Sequence, residues 1–345
     1  MRPALLSLVL VSPLVGASVA RADEPVANAV VTLTPDGQAF ATRAGVTPQQ
    51  LQDQITSRVE DAYQTNNVAG FLRSFTNATS FSNRGLGVDY ASASDDFMIG
   101  FAGNVAVSSP DVINQSDHPT GGGAANFGIM IGGNLKGMGL PRVSLFANGF
   151  YESAATDKLA GDLTSAGAHV QYRLVQPESD GGAAVALRWI GIDLTTGLEY
   201  TRWTLGVKDT IKDSYVVGAG SMQQTLSMSS TGTFVLTSNA LTSPREATTG
   251  FRILELLSVY VGGGIDFTAG KTSIDANLDG AVKATDGTDV GNVKITASGS
   301  NTGSPAAFRA LAGGQVNLWR LKVFAQGNLS QNSTASVSFG LRLLL

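Results

Sequence analysis

The C-terminal segment 334–345 carries the strongest constraint on the fold. Ala335, Val337, Phe339, Leu341, Leu343 and Leu345 alternate with Thr334, Ser336, Ser338, Gly340 and Arg342, and Leu344 alone breaks the pattern. A period of two sends the two sets to opposite faces of an extended strand. The same alternation recurs upstream: Phe308 to Leu318, Leu257 to Phe267, Ala166 to Leu174 and Phe127 to Leu135 each place apolar residues or glycine at every second position. Each segment runs for about ten to twelve residues, enough for a tilted strand to cross an apolar membrane core. After residue 22 no stretch approaches the roughly 18 consecutive apolar residues of a membrane-spanning helix. Alternating segments separated by polar, Gly- or Pro-bearing stretches are the pattern of a transmembrane β-barrel. A soluble β-sandwich also alternates. The barrel is favoured by aromatic residues near strand ends (Tyr151, Trp189, Tyr200, Trp203 and Trp319), where amphipathic rings would settle at the membrane interfaces.

The other end of the chain points to export. Arg2, the apolar stretch Ala4 to Val15 and the small-x-small site Ala20-Arg21-Ala22 form a secretory signal peptide over residues 1–22. Only 14% of residues are charged, against roughly 25% in an ordinary soluble domain. The net charge of −4 excludes a nucleic-acid binder resting on bulk positive charge. The chain has no cysteine, which excludes a lipid-modified lipoprotein, thiolate metal sites and thiol nucleophiles.

Ser338, Gly340, Leu343 and Leu345 stand flush with the C-terminus in the order polar, glycine, hydrophobic, hydrophobic. This ending resembles the β-signal of Gram-negative outer-membrane proteins, with Leu345 in place of the usual terminal aromatic. The resemblance covers eight residues. It implies the bacterial outer membrane as location, outer-membrane lipid as surroundings and the barrel-assembly machinery as a partner during biogenesis. The expected fold is all-β, an antiparallel transmembrane barrel occupying 85–345. Counting back from Leu345 places strands near 334–345, 320–330, 305–318, 247–269, 228–238, 215–225, 194–206, 184–191, 163–175, 142–152, 125–135 and 97–107. That is about twelve, with fourteen as the rival count. Short turns such as Lys136–Pro141 and Trp319-Arg320 then face the periplasm, and the stretches 108–124 and 270–304 form external loops.

Residues 23–84 break the alternation. Thr47-Pro48 reads as a helix start, and Leu51, Ile55, Val59 and Tyr63 recur every four residues along one helical face. A second short helix is expected over Val68–Phe75. This N-terminal helical segment is expected either to plug the lumen or to cap the barrel from the periplasm. The layout is loosely similar to fatty-acid-transporter and porin-type barrels, without a specific family motif.

Chemistry has few places to reside. His118 lies in a loop, and His169 faces the lumen four residues from Ser165, too far along a strand for direct pairing. The facing assignment points Arg173, Arg188, Arg309, Lys322, Arg342, Glu152, Glu199 and Asp266 into the lumen. Arg309, Lys322 and Arg342 lie on three successive strands, where they would form one basic patch. Two readings stand: an anion-favouring pore constriction, or an ion-pair network filling a narrow barrel. Asp275, Asn277, Asp279, Gly280, Val282 and Asp286 match the spacing of a calcium loop, although Asp, Asn and Gly are also common turn residues. Gly121-Gly122-Gly123 reads as a loop spacer. No cofactor is expected, and no catalytic set is expected. The expected function is passive passage of small solutes, as a channel or facilitator. The alternative is a structural, adhesive or ligand-binding barrel with a filled lumen, or a hatch-type transporter of hydrophobic compounds.

Overall fold

A computed structural model describes residues 26–64, 68–91, 97–109, 121–177 and 186–345. The signal peptide and His118 lie outside the described residues. The order of elements is β1 (Val26–Leu33), α1 (Pro35–Arg43), α2 (Pro48–Gln64), α3 (Val68–Phe81), β2 (Phe97–Ser108), β3 (Gly122–Leu135), β4 (Leu140–Ala155), β5 (Leu159–Val175), β6 (Leu187–Val217), β7 (Gln224–Ile253), β8 (Leu257–Ala284), β9 (Asp289–Thr302), β10 (Ala306–Leu318), β11 (Leu321–Ser330) and β12 (Thr334–Leu344). Every strand pairing is antiparallel.

Ten strands close into a ring. β2 to β8 follow one another, β10 takes the next place beside β8, and β11 and β12 lead back to β2. The seam joins the first and last strands of the ring along their length, from Thr334 opposite Ser108 to Leu344 opposite Met98. Closure leaves these strands no open edge in the apolar layer, where an unpaired backbone group would be costly. Outward positions carry the apolar residues: Ile99, Phe101, Ile129, Val261, Phe308, Phe339 and Leu341 are all exposed. Inward positions carry Asn104, Asn126, Gln315, Gln326, Ser338 and Arg342, all buried. This inside-out distribution is that of a barrel solvated by lipid, and it places the chain among outer-membrane β-barrels. Tyr151 and Trp319 are exposed at opposite rims, as girdle residues should be. Trp203 differs, because its Nε1 is buried on the inward side of β6.

The ring holds ten strands rather than twelve because the middle of the chain forms a few very long strands. The expected segments 184–191 and 194–206 are one strand, β6, kinked by a bulge between Trp189 and Ile192. Gly191 sits in that bulge with φ 97°, which favours a residue without a Cβ. The expected strand 215–225 instead spans the end of β6, the turn at 218–223 and the start of β7. The segment 247–269 straddles the tight turn Leu254–Leu256 between β7 and β8. The expected loop 270–304 is mostly strand: β8 continues past the ring, and β9 pairs with its upper half from Lys271 to Lys283. The upper half of β8 alternates, with Ile274, Ala276, Leu278, Val282 and Ala284 on one face and Ser273, Asp275, Asn277, Asp279 and Lys283 on the other, but Asp, Asn and Gly at this spacing read equally as a turn.

A polar extension therefore rises from one side of the ring, built from β6, β7, β8 and β9, with β1 added on the edge of β9. It stands roughly 40 Å tall at about 3.3 Å per residue. Helices α1 and α2 cover its inner face. Phe40, Ala41, Leu51 and Ile55 pack with Val31, Leu226, Met228, Val282, Val293 and Ile295 in one buried cluster. Thr34 caps α1, its hydroxyl accepting from the Gly37 amide at 3.0 Å and donating to the Asp289 carbonyl at 2.6 Å, which ties the helix start to the β8–β9 turn. Gln52 of α2 donates to the Val31 carbonyl and Gln54 accepts from the Gly218 amide, so α2 bridges from β1 to the top of β6.

Candidate functional site

The lumen is filled by the chain itself. α3 enters from the extension side, and residues 82–91 continue to the opposite rim. The order of contacts records the passage. Leu72 packs with Leu236 and Ile274 at the upper mouth. Phe81 packs with Ala106 and Ala124, and Leu86 with Ala102 and Phe324. Val88 and Tyr90 then pack with Met98, Phe146, Tyr260 and Leu344 near the lower rim. The helix is polar where it meets the wall. Thr76 bonds Thr272 at 2.7 Å, Thr79 bonds Ser238 at 2.9 Å, and Asn301 donates to the Ala69 carbonyl at 2.8 Å. Close approach also needs a bare backbone. A Cβ at Gly122 would lie 2.3 Å from the Phe75 nitrogen, so this glycine opens β3 and seats α3 rather than spacing a loop. Gly85 turns the chain below the helix with φ 80°, and a Cβ there would meet Ser338 Oγ at 2.4 Å.

Below α3 the segment is locked by charge. Arg84 donates to Glu199 and lies 3.2 Å from Asp266. Arg309 from β10 reaches Glu246, Asp266 at 3.0 Å and Asn328 at 3.0 Å. Tyr90 donates its phenol to Glu246. One level lower, Arg342 bridges Asp89 at 3.2 Å, Gln315 at 3.0 Å and the Val88 carbonyl at 2.6 Å, with its guanidinium 3.8 Å from the Phe324 ring centroid. Arg252 donates to the Ala91 carbonyl and Gln171 to that of Asp89. Three arginines thus meet four carboxylates, Asp89, Glu199, Glu246 and Asp266, all buried. Burial on this scale is tolerable only because each charge has a hydrogen-bonded counterion.

Of the residues expected in the lumen, Arg309, Arg342, Glu199, Asp266 and Lys322 are buried there. Arg173 is half-buried and pairs with Asp193 at 3.1 Å. Arg188 and Glu152 stand on the inner face, opposite Arg252 and Leu163, but at the rims of the lumen rather than within it. Arg188 is exposed at the lower rim, 3.6 Å from Glu255, and Glu152 is exposed near the top of β4. The expected single basic patch does not form. Antiparallel pairing through the tight Trp319-Arg320 turn sets Lys322 opposite Asn317 and Arg342, while Arg309 lies opposite Ser330 at the far end of β10. Arg84, Asp89, Tyr90 and Glu246 went unnoticed in the sequence. Glu246 falls in the gap between two expected strands, and the other three act only through contacts across the lumen.

The remaining candidates change character in the fold. His169 is buried with Nε2 3.7 Å from Glu199, and the Ser165 hydroxyl donates to the Phe127 carbonyl at 3.3 Å instead of to the imidazole. Asp275, Asn277 and Asp279 alternate along the outer face of β8, opposite Ser298, Thr296 and Lys294. Extended strand spreads such residues roughly 7 Å apart, so they do not converge as a calcium loop requires. Among the described residues no group of three or more His, Cys, Asp or Glu is placed to hold a metal ion.

The family model described as Lsa36-like matches residues 27–344. No curated protein matches the chain. Among solved structures, the chain is similar to the transport unit of the autotransporter AIDA-I from Escherichia coli, at 11% identity over 80% of this chain and 98% of that one, with a TM-score of 0.31. It is similar to the translocator domain of the autotransporter NalP from Neisseria meningitidis, at 9% identity over 78% and 93%, with a TM-score of 0.29. It is also similar to Ail, the attachment invasion locus protein of Yersinia pestis, at 12% identity over 72% and 97%, with a TM-score of 0.25.

Proposed function

The chain belongs to the Lsa36-like family, and on that premise we propose that it is a closed outer-membrane barrel that presents a binding surface outside the cell. The ring anchors the protein, residues 68–91 seal the lumen, and the extension with α1 and α2 carries the surface that meets other molecules. The observation that supports this reading over an open channel is the lock around Arg84: a buried arginine of the threaded segment engages Glu199 and Asp266 of the wall. A channel for small solutes needs free cross-section at that level, and here it is occupied by side chains paired with each other. The strand ends of the ring, at Phe97 and Leu345, face the periplasm in this reading, and β12 is the strand that the barrel-assembly machinery engages. The extension then stands on the external side, beyond the lipid.

Two measurements test the proposal. Full-length protein in planar bilayers should give no steady conductance steps. Large steps from the intact chain would return the reading to a channel. The chain has no native cysteine, so a single Thr233→Cys on the extension should react with an impermeant maleimide on intact cells, whereas Met138→Cys at the opposite rim should not. The reverse pattern would place the extension in the periplasm and defeat the presenting role.

A further inference from the structure

The outer face of the extension carries a groove of about 380 Å³, on the side away from α1 and α2. Two rows of outward side chains border it, and the backbone at Ala276 and Ala297 forms its floor. In the upper row Thr233 on β7 stands opposite Asn277 on β8, Asn277 opposite Thr296 on β9, and Thr296 opposite Asn28 on β1. In the lower row Val235 stands opposite Asp275, and Asp275 opposite Ser298. The rows are two residues apart along the strands, so the groove is about 7 Å wide, and the strand spacings from β7 to β1 make it about 14 Å long. All of these bordering residues are exposed. Among the described residues, none of the polar ones is held by a hydrogen bond or an ion pair of the protein. Asp279, two residues up β8 from Asn277, differs: Asn292 donates to it, and Lys294 stands opposite it.

We propose that this groove binds a neutral saccharide. The Asp275 carboxylate, the amides of Asn28 and Asn277 and the hydroxyls of Thr233, Thr296 and Ser298 intersperse acceptors with donors, which suits a ligand built of hydroxyl groups. Asp275 can accept from two neighbouring hydroxyls at once, and Val235 supplies an apolar contact for the C–H face of a ring. Other ligand classes fit less well. Asp275 repels an anion. Side chains two apart on an extended strand are too widely spaced to share a cation. A single valine is too little to anchor an apolar ligand. A peptide that adds to a sheet needs a free strand edge, and here β8 is paired with β7 and β9, and β9 with β8 and β1. The groove lies roughly 15 Å above Leu241 and Ala269, where the apolar belt ends, so it is open to water. The inference rests on the extension being the presenting surface.

The test is an array of neutral, sulfated and sialylated oligosaccharides probed with the full chain in a detergent that has no sugar headgroup. A subset of the neutral glycans should retain the protein, and the same glycan in solution should release it. Hydrogen bonds to a charged group are the stronger ones, so Asp275→Ala should weaken retention roughly tenfold or more. Asp279→Ala, on the same face but outside the groove, should bind as the parent does. A maleimide attached to Thr233→Cys should block retention, and one attached to Met138→Cys should not. Heat-dependent gel mobility checks that each variant is a folded barrel, and Thr233→Cys before and after labelling compares one folded protein with itself. Retention by none of the neutral glycans, preference for sulfated or sialylated ones, parental retention by Asp275→Ala, equal loss in Asp279→Ala, or undiminished retention after labelling of Thr233→Cys would each overturn the proposal. Labelling of Thr233→Cys on intact cells with no glycan retained would defeat the saccharide site alone and leave the presenting role standing.

Discussion

Replacing Arg84 by methionine should be among the most damaging single changes in the lumen. Arg84 is 2% exposed and is the arginine that engages Glu199. Its removal leaves Glu199 with only His169 at 3.7 Å, and Asp266 with Arg309 already shared with Glu246. Breaking a buried pair by removing one partner costs about 3–5 kcal/mol, because the other charge stays buried without compensation. That is roughly two to three and a half powers of ten in the folding equilibrium. With a urea dependence of about 2–3 kcal/mol per molar, the midpoint for unfolding from lipid vesicles should fall by roughly 1–2.5 M. The double variant R84M/E199Q should recover part of the loss, since a neutral amide no longer demands a cation. A loss below about 1 kcal/mol for Arg84→Met, or single-variant effects that add within roughly 0.5 kcal/mol in the double variant, would refute the lock. In bilayers, Arg84→Met should also show intermittent openings that the parent lacks.

Other consequences follow from separate parts of the fold. Gly122→Leu should unseat α3, because the Phe75 backbone lies where the new side chain must go; cleavage within 68–91 should become fast on intact barrels, and parental resistance would contradict the packing. Thr34→Ala removes the cap of α1 and its link to the Asp289 carbonyl, at a cost of about 0.5–2 kcal/mol, which hydrogen exchange should locate in α1 while β2 to β5 stay protected. Calcium added to the purified protein should give neither heat nor a melting shift, since Asp275, Asn277 and Asp279 point away from an extended strand; a saturable signal would mean that the upper half of β8 refolds.

What could be read from the sequence was what is local. Period-two alternation is set within one strand, so β2, β3, β5, β10, β11 and β12 are visible residue by residue, and so is the ending Ser338 to Leu345. The register between strands is not local. It decides that Arg309 meets Glu246 and Asp266 rather than Lys322 and Arg342. The upper halves of β6 to β9 stand beyond the apolar belt, where the residues between the apolar positions, such as Asp275, Asn277, Asp279 and Gly280, suit a turn as well as a strand. The threaded segment is hidden for a related reason. Arg84, Asp89 and Tyr90 are ordinary polar residues until a wall surrounds them, and Glu246 is legible only once β7 is known to run unbroken from Gln224 to Ile253.

The filled lumen also fixes a parity. Ten strands alone would return both ends of the ring to one side of the membrane. Residues 68–91 add an eleventh crossing, inside rather than within the wall, so Val26 and Leu345 lie on opposite sides. β1 is hydrogen-bonded into the extension, while beyond its other end the threaded segment is followed in the chain by β2, the strand that meets β12 at the seam. With a folded sheet above and the wall strand attached below, the segment has no free end to withdraw. Once β1 has paired with β9 and β12 with β2, the passenger is held at both ends as an axle through the ring.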